Sequence, residues 1–520
     1  MRQYEMFELE FQGKEPEGSW TDVDLKAVFG WESDEEEAFT YQRVKGFYAG
    51  NGVYKVRFLP EKTGKYTWKT QGIIEAEGTE ISEPAGAGNR GIVRAKDIHF
   101  EYSDSTIYRP FGTTIYALVS QLQERIDQTM KTLAKAPFNK VRHCVFPKFY
   151  DYNREDPEFY PFEKDENGEW NMDRPCFAYW EKLEKVIFQL ADMGIESDLI
   201  LFHSYDKWGF SQLSMKQTFK YLDYLLRRLA AIPQMWWSLA NEFDLMYART
   251  MEDWYAIERY VAENDPYHHL LSNHNCFSFY DFTRPNITHC CVQTIQMESA
   301  TKWIEKYKKP LIYDECCYEG NLPLSWGNLS GFEMASRFWQ ACVPGAYASH
   351  GEVFLAEDDV LWWAKGGELK GSSPARICFL RDIMEELPGT LEPWHPQPWE
   401  MPDMGYISKA PMDLFKNLHL SMPLEQQESM LVKDGLCCGH VGDKVFMEYF
   451  GHRCCGLARW ILPEDHTYRI EKIDIWEMTR ETVCKGVSGK VEVKLPGKEG
   501  IALMATVEEY QNSVRDLSKR

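Results

Sequence analysis

Long apolar runs are missing from this sequence. No stretch of about 18 consecutive apolar residues occurs, so no membrane-spanning helix is expected. Residues 1–10 also lack the apolar core that a secretory signal needs. The sequence therefore predicts a protein with no membrane partner, and a cytoplasmic location is the expectation.

Basic residues are scarce relative to acidic ones. The chain has 58 Lys and Arg against 80 Asp and Glu, a formal net charge of −22. Such a surface repels phosphate backbones and anionic lipids, which argues against nucleic acid and membrane partners. It suits a neutral ligand instead. The 18 Trp and 28 Tyr residues fit a sugar ligand, because sugar rings stack on aromatic faces, although most aromatics will be core.

Cysteine patterns for zinc or disulfide scaffolds are also missing. The 14 cysteines include adjacent pairs, but neither a repeated C-x-x-C motif nor a dense short framework. Free thiols in a reducing cytoplasm are the simplest interpretation. No cofactor and no metal are expected.

The 520 residues exceed what one domain usually holds. Residues 1–98 contain short alternating strands, for example 7–11 and 53–58, which predict an N-terminal β-sandwich. Residues 399–520 return to such alternation and predict a C-terminal β-sandwich. Residues 99–398 between them form the candidate catalytic domain.

The central region alternates short apolar strands with amphipathic helices. Eight strand–helix repeats span roughly 290 residues, the size expected of a (β/α)₈ TIM barrel. A doubly wound sheet is disfavoured, because no Gly-rich phosphate turn follows the first strand. The predicted strands lie near 111–118, 140–146, 197–202, 234–241, 269–272, 287–292, 310–315 and 346–352.

The stretch 234–244 carries the clearest chemical signal. It is a buried strand that ends in Asn241 and Glu242, and Glu315 ends the seventh strand. Strands four and seven face each other across a barrel mouth, so the two carboxyl groups should converge. A separation of about 5–5.5 Å suits retaining glycoside hydrolysis. The alternative is that both are ordinary rim carboxylates in salt bridges.

Several motifs carry a family resemblance. They include Trp237-Ser-Leu-Ala-Asn-Glu-Phe-Asp244, Tyr313-Asp-Glu315, Ser349-His-Gly-Glu352 and Leu361-Trp-Trp-Ala-Lys-Gly-Gly367. With them, the chain resembles the retaining glycoside hydrolases of clan A, and more narrowly their apiosidase-like branch with two flanking β-domains. The resemblance implies that Glu242 is the acid/base and Glu315 the nucleophile. Asp314 and Glu319 are the competing choices for the nucleophile.

Other polar residues follow the barrel strands. Arg142 and His143 are adjacent, so only one should face the barrel, and Arg142 is favoured. Histidines and carboxylates also raise a metal site as a rival, but no H-x-H or H-x-x-x-H spacing supports it. The residues predicted to bind substrate are Asn241, Arg142, His203, His274, Gln293, His350 and Trp363.

The sequence thus predicts a retaining, exo-acting glycosidase for short oligosaccharides or plant glycosides. The exo mode is inferred from the bulky insertion 149–176, which would wall off one side of the cleft. Three alternatives stay open: an endo-acting glycanase, a non-catalytic carbohydrate-binding barrel, and a metal-dependent barrel hydrolase. A homo-oligomer also stays open, because accessory sandwiches often provide subunit contacts.

Overall fold

The computed structural model describes residues 1–32, 39–397 and 437–509, with isolated positions at 417, 420–423 and 426. Its N-terminal part is a two-sheet sandwich. One sheet has the order β1-β5-β4 and the other the order β3-β2-β6-β7. Phe29 and Phe58 stack between the sheets with ring centroids 3.9 Å apart. The strands are β1 (Phe7–Gln12), β2 (Leu25–Glu32), β3 (Phe39–Lys45), β4 (Phe47–Gly50), β5 (Val53–Phe58), β6 (Gly64–Gly72) and β7 (Glu77–Ser82).

A small three-stranded sheet leads into the barrel. It consists of β8 (Val93–Lys96), β9 (His99–Tyr102) and β10 (Ile107–Tyr108). Phe100 and Tyr108 from this sheet pack against Trp236 near the start of a barrel strand. This packing covers the amino-terminal end of the barrel, so the opposite end is the one that can receive a ligand.

The central sheet is a nearly closed barrel of eight parallel strands, as predicted. In chain order its strands are β11 (Phe111–Thr114), β12 (Lys140–Cys144), β15 (Glu196–His203), β16 (Met235–Asn241), β17 (Leu270–Ser272), β18 (Cys290–Gln293), β19 (Leu311–Glu315) and β21 (Tyr347–His350). The pairing order is β17-β16-β15-β12-β11-β21-β19-β18. Two short pairs accompany them: the antiparallel β13 (Phe162–Lys164) with β14 (Trp170–Pro175), and the parallel β20 (Glu319–Gly320) with β22 (Glu352–Val353).

Helices cover the barrel, with one departure from the predicted repeat. They are α1 (Gln123–Leu133), α2 (Phe177–Asp192), α3 (Met215–Leu229), α4 (Met251–Asn264), α5 (Ala300–Tyr307), α6 (Gly331–Cys342), the short α7 (Trp362–Lys365) and α8 (Ser373–Glu385). Residues 273–289 join β17 to β18 without a helix. This segment is rich in Asn, Ser, Thr and Pro, which favour turns, and it lacks a helical apolar stripe.

The C-terminal part is again built of strands. Six of them form the order β23-β24-β25-β30-β27-β28, and β26 pairs with β29. The strands are β23 (Glu392–Pro393), β24 (Cys437–Val441), β25 (Val445–Tyr449), β26 (Leu457–Leu462), β27 (Tyr468–Asp474), β28 (Thr479–Val487), β29 (Gly489–Lys494) and β30 (Ile501–Val507). Among the described residues, no helix is both long and apolar enough to cross a bilayer.

Candidate active site

Glu242 lies immediately after β16, the fourth barrel strand. Its backbone adopts a left-handed conformation with φ 56°. A non-glycine residue pays about 1 kcal/mol or more for this geometry, and such strain concentrates at functional sites. The side chain is 6% exposed, its Oε1 accepts a hydrogen bond from Gln293 Nε2 at 3.1 Å, and the Tyr205 hydroxyl donates to its Oε2. Glu242 is therefore held at the barrel mouth by two donors.

Glu315 ends β19, the seventh strand, with its carboxylate surrounded by donors. Asn241 Nδ2 donates to Oε1 at 3.1 Å, the Tyr116 hydroxyl donates to the same atom, and Arg142 Nη1 lies 3.6 Å away. Burial raises the pKa of Glu315 to about 8, and the Tyr318 hydroxyl acts in the opposite direction. The donors and the guanidinium charge favour the ionised form.

Two amide side chains connect the glutamates. Asn241, next to Glu242, reaches Glu315. Gln293, paired with Glu315 across β18 and β19, reaches Glu242. The carboxyl groups at the ends of strands four and seven are therefore linked by two amide side chains at the barrel mouth.

Lys148 contacts the groups that hold each of the two glutamates. Its ammonium donates to Asn241 Oδ1 at 2.7 Å. It also lies 3.3 Å from the ring centroid of Tyr116, which hydrogen-bonds Glu315. Its distance from the ring centroid of Tyr205, which hydrogen-bonds Glu242, is 4.2 Å. Burial lowers the pKa of Lys148 to about 8. The lysine fixes the Asn241 amide with its oxygen toward Lys148 and its nitrogen toward Glu315.

An aromatic cluster lies beside Glu315, which its member Tyr116 contacts. Trp363 is its centre, with Tyr116, Tyr150, Tyr318 and Trp326 at centroid distances of 5.1–5.5 Å. These residues come from the loops after strands one, two, seven and eight, so the cluster joins loops on both sides of the first strand. We refer to these five residues as the aromatic wall.

Several buried polar atoms around the two glutamates have no hydrogen-bond partner among the described residues. They include the Tyr150 hydroxyl, His274 Nε2 and Gln293 Oε1. Buried polar groups are nearly always paired, so such atoms near two carboxyl groups are candidates for contact with ligand hydroxyls.

The central region matches a known catalytic domain. The profile described as "Apiosidase-like, catalytic domain" matches residues 97–397. The chain belongs to the apiosidase-like family. Two domains of unknown function, DUF5060 and DUF5605, match residues 1–72 and 435–506. No curated protein matches the chain.

The chain is also similar to solved structures of glycoside hydrolases. The crystal structure of a putative glycoside hydrolase from Bacteroides vulgatus ATCC 8482 is 32% identical, with a TM-score of 0.83 over 97% of this chain and 99% of that one. A glycoside hydrolase family 5 structure from the same organism is 12% identical, with a TM-score of 0.60 over 81% and 94% of the two chains. The second likeness concerns the fold alone.

Most of the predicted site residues of this apiosidase-like chain come together. Asn241, Arg142 and His274 lie around Glu315, with His274 Nε2 3.9 Å from its Oε1. Gln293 contacts Glu242, and Trp363 centres the aromatic wall.

Two predicted histidines have hydrogen-bond partners other than the glutamates. His203 Nε2 bonds the carbonyl of Phe146 at 3.1 Å, and His350 Nδ1 pairs with Thr113 Oγ1 at 3.2 Å. Neither is within hydrogen-bonding distance of Glu242 or Glu315 in the described part of the chain. A histidine that ends a strand can point outward or below the mouth, and strand position alone does not distinguish these directions.

The alternative residues also have defined partners. His143 Nε2 pairs with Ser197 Oγ, away from the mouth. Asp314 is in a buried ion pair with Lys140 at 2.6 Å. Glu319 accepts hydrogen bonds from the backbone of Ser372 and Ser373. These placements leave Glu315 as the carboxylate of this segment that faces the pocket.

The sequence-based prediction of site residues lacks Tyr116, Lys148 and Tyr205, and also Tyr150, Tyr318 and Trp326 of the aromatic wall. For Tyr116, Lys148 and Tyr205 a signal is present, because each follows a barrel strand by two to four residues. Tyrosine and lysine are easily overlooked there, because aromatic residues are usually core and lysines are usually at the surface.

Proposed function

We propose that the protein is a retaining glycoside hydrolase with Glu242 as acid/base and Glu315 as nucleophile. The observation that carries the proposal is the linkage of the two carboxyl groups through Asn241 and Gln293 at the ends of strands four and seven. Two carboxyl groups on one anomeric centre are what double displacement requires. The 32% identical structure is described as a putative glycoside hydrolase, which supports the same reaction class.

The chemistry divides into two steps. The Glu315 carboxylate attacks the anomeric carbon while the protonated Glu242 gives its proton to the departing glycosidic oxygen. Glu242, now ionised, then takes a proton from water, and the resulting hydroxide displaces Glu315 from the sugar. Asn241 holds Glu315 for attack, and Arg142 stabilises its negative charge before and after the reaction.

We further propose an exo mode, with the sugar that is removed bound against the aromatic wall. Tyr150 belongs to the insertion 149–176 and packs on Trp363, and this contact supports an insertion that walls off one side of the cleft. An endo-acting glycanase would need an open groove on both sides of the two glutamates. The wall therefore favours cleavage from a chain end.

The activity test combines a substrate screen with two variants. Aryl pentosides and hexosides, furanosides included, are assayed with the wild type, Glu242→Gln and Glu315→Gln. Each variant is expected to lose about 10³-fold or more in kcat on the cleaved substrate. Glu155→Gln, at a carboxylate that only pairs with Lys365 at the surface, serves as the control and should keep full activity.

Reactions with added azide assign the roles of Glu242 and Glu315 and the stereochemistry at the anomeric carbon. With Glu315→Ala, azide should attack directly and give a glycosyl azide of inverted configuration. With Glu242→Ala, azide should intercept the glycosyl-enzyme and give the retained configuration. Turnover in both glutamine variants would reject the assignment, and binding without turnover over the whole panel would favour a carbohydrate-binding barrel.

A further inference from the structure

A second group of buried acidic and imidazole side chains lies behind the active site. Glu319 on β20 and Glu352 on β22 are register partners, and His350 ends β21. The three residues are 2%, 1% and 0% exposed. Each offers a ligand atom, and these three atoms lie within 4.8 Å of one another.

The charges of this group are not matched by basic side chains. In the described residues, neither Glu319 nor Glu352 forms an ion pair with a lysine or arginine. Backbone N–H groups of Ser372 and Ser373 donate to Glu319, and those of Lys370 and Gly371 donate to Glu352. These bonds anchor the segment before α8, but two buried carboxylates this close normally need a proton or a cation between them.

His350 directs a free nitrogen toward the carboxylates. Its Nδ1 pairs with Thr113 Oγ1 at 3.2 Å, and that oxygen also accepts a hydrogen bond from Trp362 Nε1 at 2.8 Å. Its Nε2 has no hydrogen-bond partner among the described residues and lies 3.9 Å from Glu352 Oε2. When Thr113 accepts the Nδ1 proton, the Nε2 lone pair points at Glu352, which is how metal-binding histidines are usually oriented.

We propose that Glu319, His350 and Glu352 bind one divalent transition-metal ion, of the Zn²⁺ or Mn²⁺ class. One imidazole and two carboxylates suit these ions better than Mg²⁺ or Ca²⁺, which prefer oxygen ligands alone. Tetrahedral ligands at about 2 Å from Zn²⁺ stand about 3.3 Å apart, so a small adjustment brings the three side chains together. The ion is not expected from sequence, because its ligands share no regular spacing.

The ion's role would be structural. It would join the loops after strands seven and eight to the start of α8. Gly351, between two of the ligands, packs so closely on Tyr318 that a Cβ there would meet the ring at 2.3 Å. Tyr318 belongs to the aromatic wall, so a firm metal site would keep the wall in place without taking part in the chemistry. The inference does not depend on the proposed hydrolase activity.

Metal binding can be measured on the full chain without substrate. The protein is stripped with EDTA, dialysed, and titrated separately with Mn²⁺ and Zn²⁺ by calorimetry, with Mn²⁺ also followed by electron paramagnetic resonance. Mn²⁺ is included because the 14 cysteines can bind Zn²⁺ adventitiously. We expect about one equivalent of Mn²⁺ per chain and a higher melting temperature when it is bound.

Variants locate the ion. His350→Asn and Glu352→Gln should each weaken Mn²⁺ binding at least tenfold while circular dichroism stays unchanged. His452→Asn is the matched control, because His452 also contacts two glutamates, Glu333 and Glu499, but at the surface. Absence of both Mn²⁺ and Zn²⁺ binding by the folded wild type would overturn the proposal. So would binding that is lost in His452→Asn and kept in His350→Asn.

Discussion

At the scale of single residues, Glu315 experiences two opposing influences. Removal from water raises its pKa, whereas Tyr116, Asn241 and Arg142 stabilise the charged carboxylate. A nucleophile must be ionised to attack. The balance between burial and donors therefore sets the pH at which the proposed enzyme becomes active.

The pH dependence follows from that balance. Because burial raises the pKa of Glu315 to about 8, kcat/KM should increase as the pH rises toward 8 and fall on the acid side. Tyr116→Phe removes a donor to the carboxylate, so the pKa should rise further and the acid limb should move up by about one pH unit. The measurement is kcat/KM against pH on the cleaved aryl glycoside. Tyr247→Phe, at a 94% exposed side chain, is the control and should leave the acid limb of the kcat/KM profile at the same pH. An acid limb that moves to lower pH in Tyr116→Phe would contradict the expected role of Tyr116.

Lys148 acts through Asn241 and is a positioning residue. Lys148→Met removes the donor to Asn241 Oδ1, so the amide loses the contact that keeps its nitrogen toward Glu315. We expect kcat to fall by about 10²-fold with little change in KM. Lys207→Met provides the control, because Lys207 also stacks on Phe149 but pairs with the exposed Asp156. A rise in KM alone would show that Lys148 serves substrate binding instead.

The position of a residue can be predicted from the sequence where the backbone alone determines it. Asn241 and Glu315 are the last residues of their strands and Glu242 follows the first of them directly, so topology brings the three together. It does not reveal Lys148, because a buried lysine depends on the aromatic rings of Tyr116 and Tyr205, which come from separate loops. His350 ends its strand as predicted, but its side chain faces Thr113 instead of the pocket.

At the scale of elements, the loops after strands four and five shape the side of the pocket next to Glu242. Asp244 accepts hydrogen bonds from the backbone of Cys276, Phe277 and Ser278 at 2.6–2.9 Å. Phe277 is nevertheless 81% exposed. A large apolar side chain on a firmly held loop, next to Cys276 that interacts with the proposed acid/base Glu242, suits contact with a leaving group.

Phe277 should therefore affect substrates according to their leaving group. Phe277→Ala is expected to raise KM for an aryl glycoside by about tenfold, because the aryl group loses one apolar contact. The glycosyl fluoride of the same sugar has no aryl group and should be unaffected. Ile81→Ala removes another exposed apolar side chain, on β7, and serves as the control. An equal loss on both substrates would place Phe277 outside the leaving-group site.

Element prediction depends on periodicity, and it fails where periodicity is absent. All eight barrel strands are recognised from the sequence, and the helix after Ser214 begins with a capping box to Gln217. The absence of a helix in 273–289 is not foreseen, because the strand–helix alternation around this segment predicts one more repeat. Within this loop Asn275 hydrogen-bonds the backbone of Gln293 in both directions, which holds the fifth and sixth strand ends together.

At the scale of the whole molecule, the N-terminal sandwich is joined to the barrel by buried charges. Arg57 on β5 binds Glu184 on α2 with two hydrogen bonds of 2.9 Å, and Arg228 on α3 binds the same carboxylate at 2.7 Å. Burial of Glu184 opposes ionisation, but the two guanidinium charges outweigh it and lower its pKa to about 2. Alternating strands predict that a sandwich exists. They cannot predict this contact, which joins residues 127 positions apart.

Arg57→Met should weaken the attachment of the sandwich. Removing one partner of a buried ion pair lowers the free energy of unfolding by about 3 kcal/mol. Arg228 still binds Glu184 in this variant, which limits the loss here. The measurement is calorimetric unfolding of the full chain. Lys69→Met, which breaks an exposed pair with Glu77, is the control and should change the free energy of unfolding by less than about 1 kcal/mol.

The stabilisation by Glu184 should also depend on pH. A carboxyl group whose pKa is lowered by folding stabilises the fold fully above its unfolded-state pKa of about 4.3, and it loses that contribution as the pH falls toward 2. The difference in the free energy of unfolding between wild type and Arg57→Met should therefore have its full size at pH 7 and become smaller below pH 4. A difference that stays constant down to pH 2 would mean that Arg57 acts through packing on Phe47 and not through the charge of Glu184.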